Sequence, residues 1–152
     1  MRSILALPLL AVALVACGDK SPEPSSETND TTTAAAPEIK MPHVMAFDAG
    51  HALDSTGAIV GGVASRFNSG DTIFVSVRTQ YVAPGAKLEA VLLQGTTKVA
   101  SDNGIVGDPD TSTGVATVPI RFQNSKPWPK GAYQIEILLD GVSQGLKPLE
   151  IE

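Results

Sequence analysis

The segment Thr72-Ile73-Phe74-Val75-Ser76-Val77-Arg78-Thr79-Gln80 decides the fold class, because its apolar and polar side chains alternate. One face of an extended chain would carry Ile73, Val75 and Val77. A two-residue period of this kind is typical of a strand with one buried face. We therefore predict a β-strand over 72–80.

Similar runs recur at intervals of about ten residues, each bounded by Gly, Pro, Asn or Asp. Further strands are predicted at 43–50, 58–67, 88–94, 98–101, 115–122, 132–139 and 146–151. Asp140-Gly141 predicts a two-residue hairpin turn, and 101–113 is predicted to be a polar loop. No stretch keeps a helical period beyond two turns. Residues 43–152 therefore predict an all-β antiparallel sandwich of about seven to nine short strands.

The chain begins with the features of an export signal. Arg2 precedes an apolar run over 4–16, which is too short to cross about 30 Å of hydrocarbon. A signal peptide has this charge and this length of apolar segment. We predict a signal peptide over 1–16.

The run ends in Leu14-Val15-Ala16-Cys17-Gly18, which resembles the lipobox of bacterial lipoproteins. The resemblance implies cleavage before Cys17 and lipid attachment to its sulfur. More than one acyl chain is needed for stable anchoring. Because Asp19 lies one place beyond the sorting position, the resemblance favours the outer membrane, facing the periplasm. The alternative is an ordinary signal peptide with an accidental cysteine.

Residues 17–42 form the predicted tether. After Cys17 the segment consists mainly of Pro, Ser, Thr and acidic residues. Such a composition cannot bury enough apolar surface to offset chain entropy. We predict a disordered linker between the acylated cysteine and the folded domain.

Two motifs in the folded part resemble those of small immunoglobulin-like domains in bacterial lipoproteins. The first runs from Phe67 through Asp71-Thr72-Ile73 to Val77. The second is Trp128-Pro129-Lys130-Gly131-Ala132-Tyr133, followed by Leu139-Asp140-Gly141. The resemblance implies an immunoglobulin-like β-sandwich. It implies little about activity, because these positions are turns and core residues.

Composition argues against several functional classes. The net charge of −5 argues against nucleic-acid binding, which needs a basic face. One cysteine rules out a disulfide framework, and one cysteine with two histidines argues against most zinc sites. We expect no cofactor.

Three chemical motifs are incomplete. Gly141-Val142-Ser143-Gln144-Gly145 matches the G-x-S-x-G pattern of hydrolases, but no histidine follows Ser143 as their order requires. The segment from Asp108 to Gly114 resembles the start of a calcium loop, but Thr113 and Pro119 stand where Gly and Glu are needed. A metal held by His43, Asp48, His51 and Asp54 would need a further ligand shell. We predict no catalytic residue and no metal site.

The sequence therefore predicts a non-enzymatic envelope lipoprotein, bound to the membrane through its lipid and to an unidentified envelope protein through its domain. Asp108, Asp110 and Trp128 are the candidate partner-binding residues, with a role for Trp128 as a core plug as the alternative. A second hypothesis is a periplasmic inhibitor or immunity protein against a cell-wall-active enzyme. A third, of another class, is an enzyme.

The substitution Cys17→Ser tests the predicted anchor. It removes the single cysteine, so unprocessed precursor should accumulate and little protein should partition into the detergent phase. Phase separation and immunoblotting measure both. Normal cleavage with unchanged partitioning would contradict the anchor.

Overall fold

The computed structural model describes residues 40–152, and these contain ten strands and no helix. The strands are β1 (His43–Gly50), β2 (Ala52–Leu53), β3 (Ile59–Val60), β4 (Arg66–Phe67), β5 (Ile73–Gln80), β6 (Lys87–Gln94), β7 (Thr97–Ile105), β8 (Val115–Phe122), β9 (Gly131–Leu139) and β10 (Val142–Ile151). The predicted all-β class is confirmed. The predicted signal peptide and most of the tether lie outside the described residues.

The strands form two larger sheets and one small hairpin. One sheet has the order β1-β5-β8, the second has the order β4-β10-β9-β6-β7, and β2 pairs with β3. Every pair is antiparallel except β4 with β10, which run parallel. The expectation of a purely antiparallel fold is wrong at this pair. β4 runs in the same direction as the C-terminal strand β10. Next to this pair, the Glu150 amide donates to the Ser65 carbonyl at 2.8 Å.

The strand count of about seven to nine is also corrected to ten within residues 40–152. Three of the ten, β2, β3 and β4, have only two residues each, which is too short to leave a visible alternation. The strand predicted over 58–67 is divided into β3 and β4. Gly61 and Gly62 lie between them with φ values of 78° and 100°, which are outside the range of extended strands.

Side chains from both larger sheets form a single core. Val75 and Val77 of β5 and Ile135 and Ile137 of β9 are all fully buried within the same cluster. Burying an aliphatic side chain of this size contributes about 1.5–3 kcal/mol. The alternation read from the sequence therefore places one face of each sheet against the other.

The predicted polar loop over 101–113 is shorter than expected, because β7 continues to Ile105. The segment is polar because β7 is the last strand of its sheet and is exposed along most of its length. Asp102 closes this side of the domain. Its Oδ1 accepts from the Asn103 amide at 2.9 Å, and its Oδ2 accepts from the Arg121 amide of β8 at 3.4 Å. One carboxylate thus accepts hydrogen bonds from backbone amides on an edge strand of each sheet.

Pro119 contributes to the same edge. It is exposed on β8, an edge strand of its sheet. It lies two residues before Arg121, so its nitrogen points to the same free side of the strand. Proline has no amide hydrogen there, which prevents a further strand from pairing.

Lys147 closes the opposite side of the domain. From β10 its Nζ donates to the Phe47 carbonyl at 2.7 Å and to Asp48 Oδ1 at 2.5 Å, both on β1. The ammonium also lies 5.7 Å from the centroid of the Phe47 ring. The two sheets are therefore linked by a charged side chain where no strand pairing joins them.

The turn between β9 and β10 has the predicted hairpin geometry. Asp140 and Gly141 have φ values of 50° and 82°, so both central residues are left-handed, as a type I′ turn requires. A Cβ on Gly141 would meet no atom within 4 Å. Any cost of a side chain there comes from the backbone alone.

We expect Gly141→Val to lower the free energy of unfolding by about 1–3 kcal/mol through this backbone strain. Urea unfolding measures the change. Gly107→Val is the matched control, since Gly107 also has open space around it but no positive φ. Equal effects of the two substitutions would contradict the turn assignment.

Candidate functional site

The loop over 106–114 lies at the end of the domain where the described chain begins. The Tyr81 amide donates to the Gly114 carbonyl at 3.0 Å, and the Lys40 ammonium lies 5.3 Å from the Tyr81 ring centroid. The loop that carries Asp108 and Asp110 therefore lies at the same end of the domain as Lys40.

Asp110 organises this loop from within. Its Oδ1 accepts from the amide and the hydroxyl of Ser112 at 2.9 and 2.5 Å, and from those of Thr113 at 2.9 and 3.0 Å. The Ser112 hydroxyl is the main cause that lowers the pKa of Asp110 to about 2. Asp110 is thus a turn-forming residue. Asp108 is exposed and is the member of the pair available to a partner.

Trp128 is a core residue. It is only 4% exposed and belongs to the core cluster. Its Nε1 donates to the Asp71 carbonyl at 2.9 Å, and its amide donates to the Ser69 carbonyl at 2.7 Å. Its assignment as a partner-binding residue is therefore corrected. The alternative, in which Trp128 is a core plug, therefore describes it.

The four residues considered for a metal site have separate partners. His43 Nδ1 lies 2.9 Å from the Met41 carbonyl, and Asp48 binds Lys147. His51 packs on Phe67 with ring centroids 4.8 Å apart. Asp54 Oδ1 accepts from the Thr56 hydroxyl at 2.6 Å, which is the main cause that lowers its pKa. Within residues 40–152, no group of three or more potential ligands could hold a metal ion.

The remaining sequence candidates are placed as follows. Ser143 is exposed on β10, one residue after the strand begins, and not on a strand-to-helix turn. Cys17 lies outside the described residues. In the described part of the chain, no helix is long and apolar enough to cross a membrane.

The structure adds a groove that sequence reasoning missed. The hairpin of β2 and β3 lies over the outer face of the three-stranded sheet. A Cβ added to Gly57 of the hairpin would lie 3.2 Å from Pro119 Cδ. A Cβ added to Gly50 would lie 2.5 Å from Ile59 Cγ2. The sheet and the hairpin enclose a groove of about 240 Å³. It is lined by Asp48, Ile59, Val63, Ser76, Arg78 and Thr117.

The groove combines polar groups from adjacent strands with an apolar wall. Strand register places Arg78 beside Thr117 and Asp48 beside Ser76. Ile59 and Val63 supply the wall. Concave sites with a few convergent polar groups are the usual form of a ligand site. The only sequence signals were Gly50 and Gly57, which permit the close approach of the hairpin.

Comparisons with known proteins give no family. No protein-family model matches the chain, and no curated protein matches it. Among solved structures, it is similar to the alkylpurine DNA glycosylase AlkC of Pseudomonas fluorescens bound to DNA containing an abasic site analog. The identity is 13% and the TM-score 0.44, over 73% of this chain and 30% of that one.

It is also similar to β-glucosidase from Listeria innocua in complex with glucose. There the identity is 10% and the TM-score 0.44, over 86% of this chain and 20% of that one. The chain thus spans less than a third of either protein. Similarities at this level carry no argument about function.

We expect the amide resonances of Ser112 and Thr113 to shift with pH as Asp110 titrates, with a midpoint near pH 2. NMR spectra recorded over a series of pH values measure this shift. The folded pKa of Asp110 is lowered from 3.8 to about 2, so its hydrogen bonds stabilise the loop fully above pH 3.8. That stabilisation is lost as the pH falls through about 2. A midpoint near 3.8, the ordinary aspartate value, would show that these bonds do not form.

Proposed function

We propose that this protein is a lipid-anchored lipoprotein of the bacterial envelope, whose immunoglobulin-like β-sandwich domain binds another protein and catalyses no reaction. The observation that carries the proposal is the position of Cys17. The single cysteine of the chain stands where the lipobox resemblance requires it, after an apolar segment. Acyl chains on this sulfur would hold the domain at the outer membrane, facing the periplasm.

The arrangement of the strands supports the immunoglobulin-like assignment. Within residues 40–152, seven strands of eight or more residues form two sheets around one core. Trp128 and Tyr133 of the second motif are buried in it. The Tyr133 hydroxyl donates to the Pro129 carbonyl at 2.7 Å. The motif residues thus act as core and turn positions, which is the role the resemblance implies for them.

The loop over 106–114 supports a binding role at the end of the domain where Lys40 lies. Asp110 holds the loop through four hydrogen bonds, so little conformational freedom is lost when a partner binds. Asp108 then presents an exposed charge on a pre-organised surface. Charges at the rim of an interface mainly set the association rate and its salt dependence.

We expect Asp108→Asn to reduce capture of the envelope partner several-fold, measured by chemical cross-linking in intact cells and quantitative immunoblotting. Glu152→Gln is the matched control. It also removes one exposed carboxylate, but at the opposite end of the domain, where Ser69 binds the Glu152 carbonyl. An equal loss from both variants would contradict a role for the loop.

The same assay separates a binding module from an enzyme. Ser143→Ala, His43→Ala and His51→Ala should each retain biological activity and partner capture, because none is required for chemistry. Loss of activity from one of them, with the fold intact by circular dichroism, would contradict the non-enzymatic proposal.

A further inference from the structure

The groove beneath the β2–β3 hairpin has a free positive charge on its floor. Arg78 is exposed on the outer face of β5. Within residues 40–152, no carboxylate oxygen lies within 4.0 Å of its guanidinium. A guanidinium of this kind can bind a carboxylate through two parallel hydrogen bonds.

Two hydroxyl groups lie beside this charge. Thr117 is the direct cross-strand neighbour of Arg78 on β8, and Ser76 lies two residues earlier on β5. Ser76 is only 8% exposed and lines the groove. A hydroxyl at this position can donate a hydrogen bond to a ligand that lies in the groove.

Asp48 supplies an acceptor on the other side of Ser76. Its Oδ1 is held by Lys147 at 2.5 Å, while no ion pair within the described chain uses Oδ2. The carboxylate is thus fixed in position with one oxygen available. The groove therefore offers a cation and an acceptor at diagonal positions of two adjacent strands, which lie roughly 7–8 Å apart.

The apolar wall suits a short aliphatic group on the ligand. Ile59 and Val63 line this side, and Val63 is 63% exposed. The volume of about 240 Å³ is below the roughly 300–1,000 Å³ typical of sites for drug-sized ligands. It matches one small amino-acid residue with its flanking polar groups.

We propose that this groove binds the C-terminal residue of a polypeptide that ends in a small aliphatic side chain and a free carboxylate. Arg78 pairs with the carboxylate, and the hydroxyls of Ser76 and Thr117 donate to it. Asp48 accepts from the amide of the same residue, and Ile59 and Val63 contact its side chain. This site is separate from the loop over 106–114 and does not depend on lipid attachment.

Three small probes test this chemistry on the full chain in detergent micelles, with amide shifts followed by NMR. N-acetylvaline carries the carboxylate, the amide and the aliphatic group. N-acetylvalinamide lacks the carboxylate, and isobutyrate lacks the amide. We expect N-acetylvaline to shift the resonances around Ser76, Arg78 and Thr117, with both other probes at least about tenfold weaker. Equal binding of N-acetylvalinamide and N-acetylvaline, or no shift with N-acetylvaline, would overturn the site. Equal binding of isobutyrate and N-acetylvaline would overturn the assignment of the ligand to a peptide terminus.

Matched variants locate the binding. Arg78→Gln should weaken the binding of N-acetylvaline by about ten- to hundredfold, because it removes the charge that faces the carboxylate. Ser76→Ala should weaken this binding by a smaller factor. Arg121→Gln is the control, since it removes an exposed arginine from β8 outside this groove. Unchanged binding in Arg78→Gln, or an equal loss in Arg121→Gln, would overturn the proposal.

Discussion

The contacts of Lys147 with β1 link the two sheets at one side of their shared core, because no strand pairing joins these sheets within residues 40–152. Its ammonium reaches the Phe47 carbonyl and Asp48, and it lies over the Phe47 ring. Both charged side chains are about one-third exposed, at 35% and 34%, so solvent screens the pair only partly. The same contact fixes Asp48 at the groove beneath the β2–β3 hairpin. Closure of this side of the domain and the position of Asp48 at that groove therefore depend on one side chain.

Much of the fold could be predicted from the sequence because alternation and turn chemistry are local. The bounds of β1 and β8 and the turn at Asp140-Gly141 agree with the predictions. The errors fall where tertiary contacts decide. The segment over 58–67 divides at two glycines to form a hairpin and a parallel strand, and β7 extends through polar residues because it is an edge strand.

The candidate site was harder to predict, since its parts are distant in sequence. Asp48 lies beside Ser76, and Arg78 beside Thr117, only through the register of three strands. The sequence did single out Asp110, but its carboxylate binds its own loop. The sequence around a polar loop residue is the same whether the residue binds a partner or stabilises its own loop. The same holds for a tryptophan between prolines, which can bind a partner or pack in the core. Burial separates the two roles, and it places Trp128 in the core.

A double-mutant cycle on Lys147 and Asp48 tests most directly whether this contact joins the sheets. Lys147→Met keeps the packed alkyl chain, and Asp48→Asn keeps the shape of the acceptor. We expect the two substitutions to be non-additive in urea unfolding, with a coupling free energy of about 1–2 kcal/mol. Additivity within about 0.3 kcal/mol would contradict the account, because the sheets would then be held together without this pair.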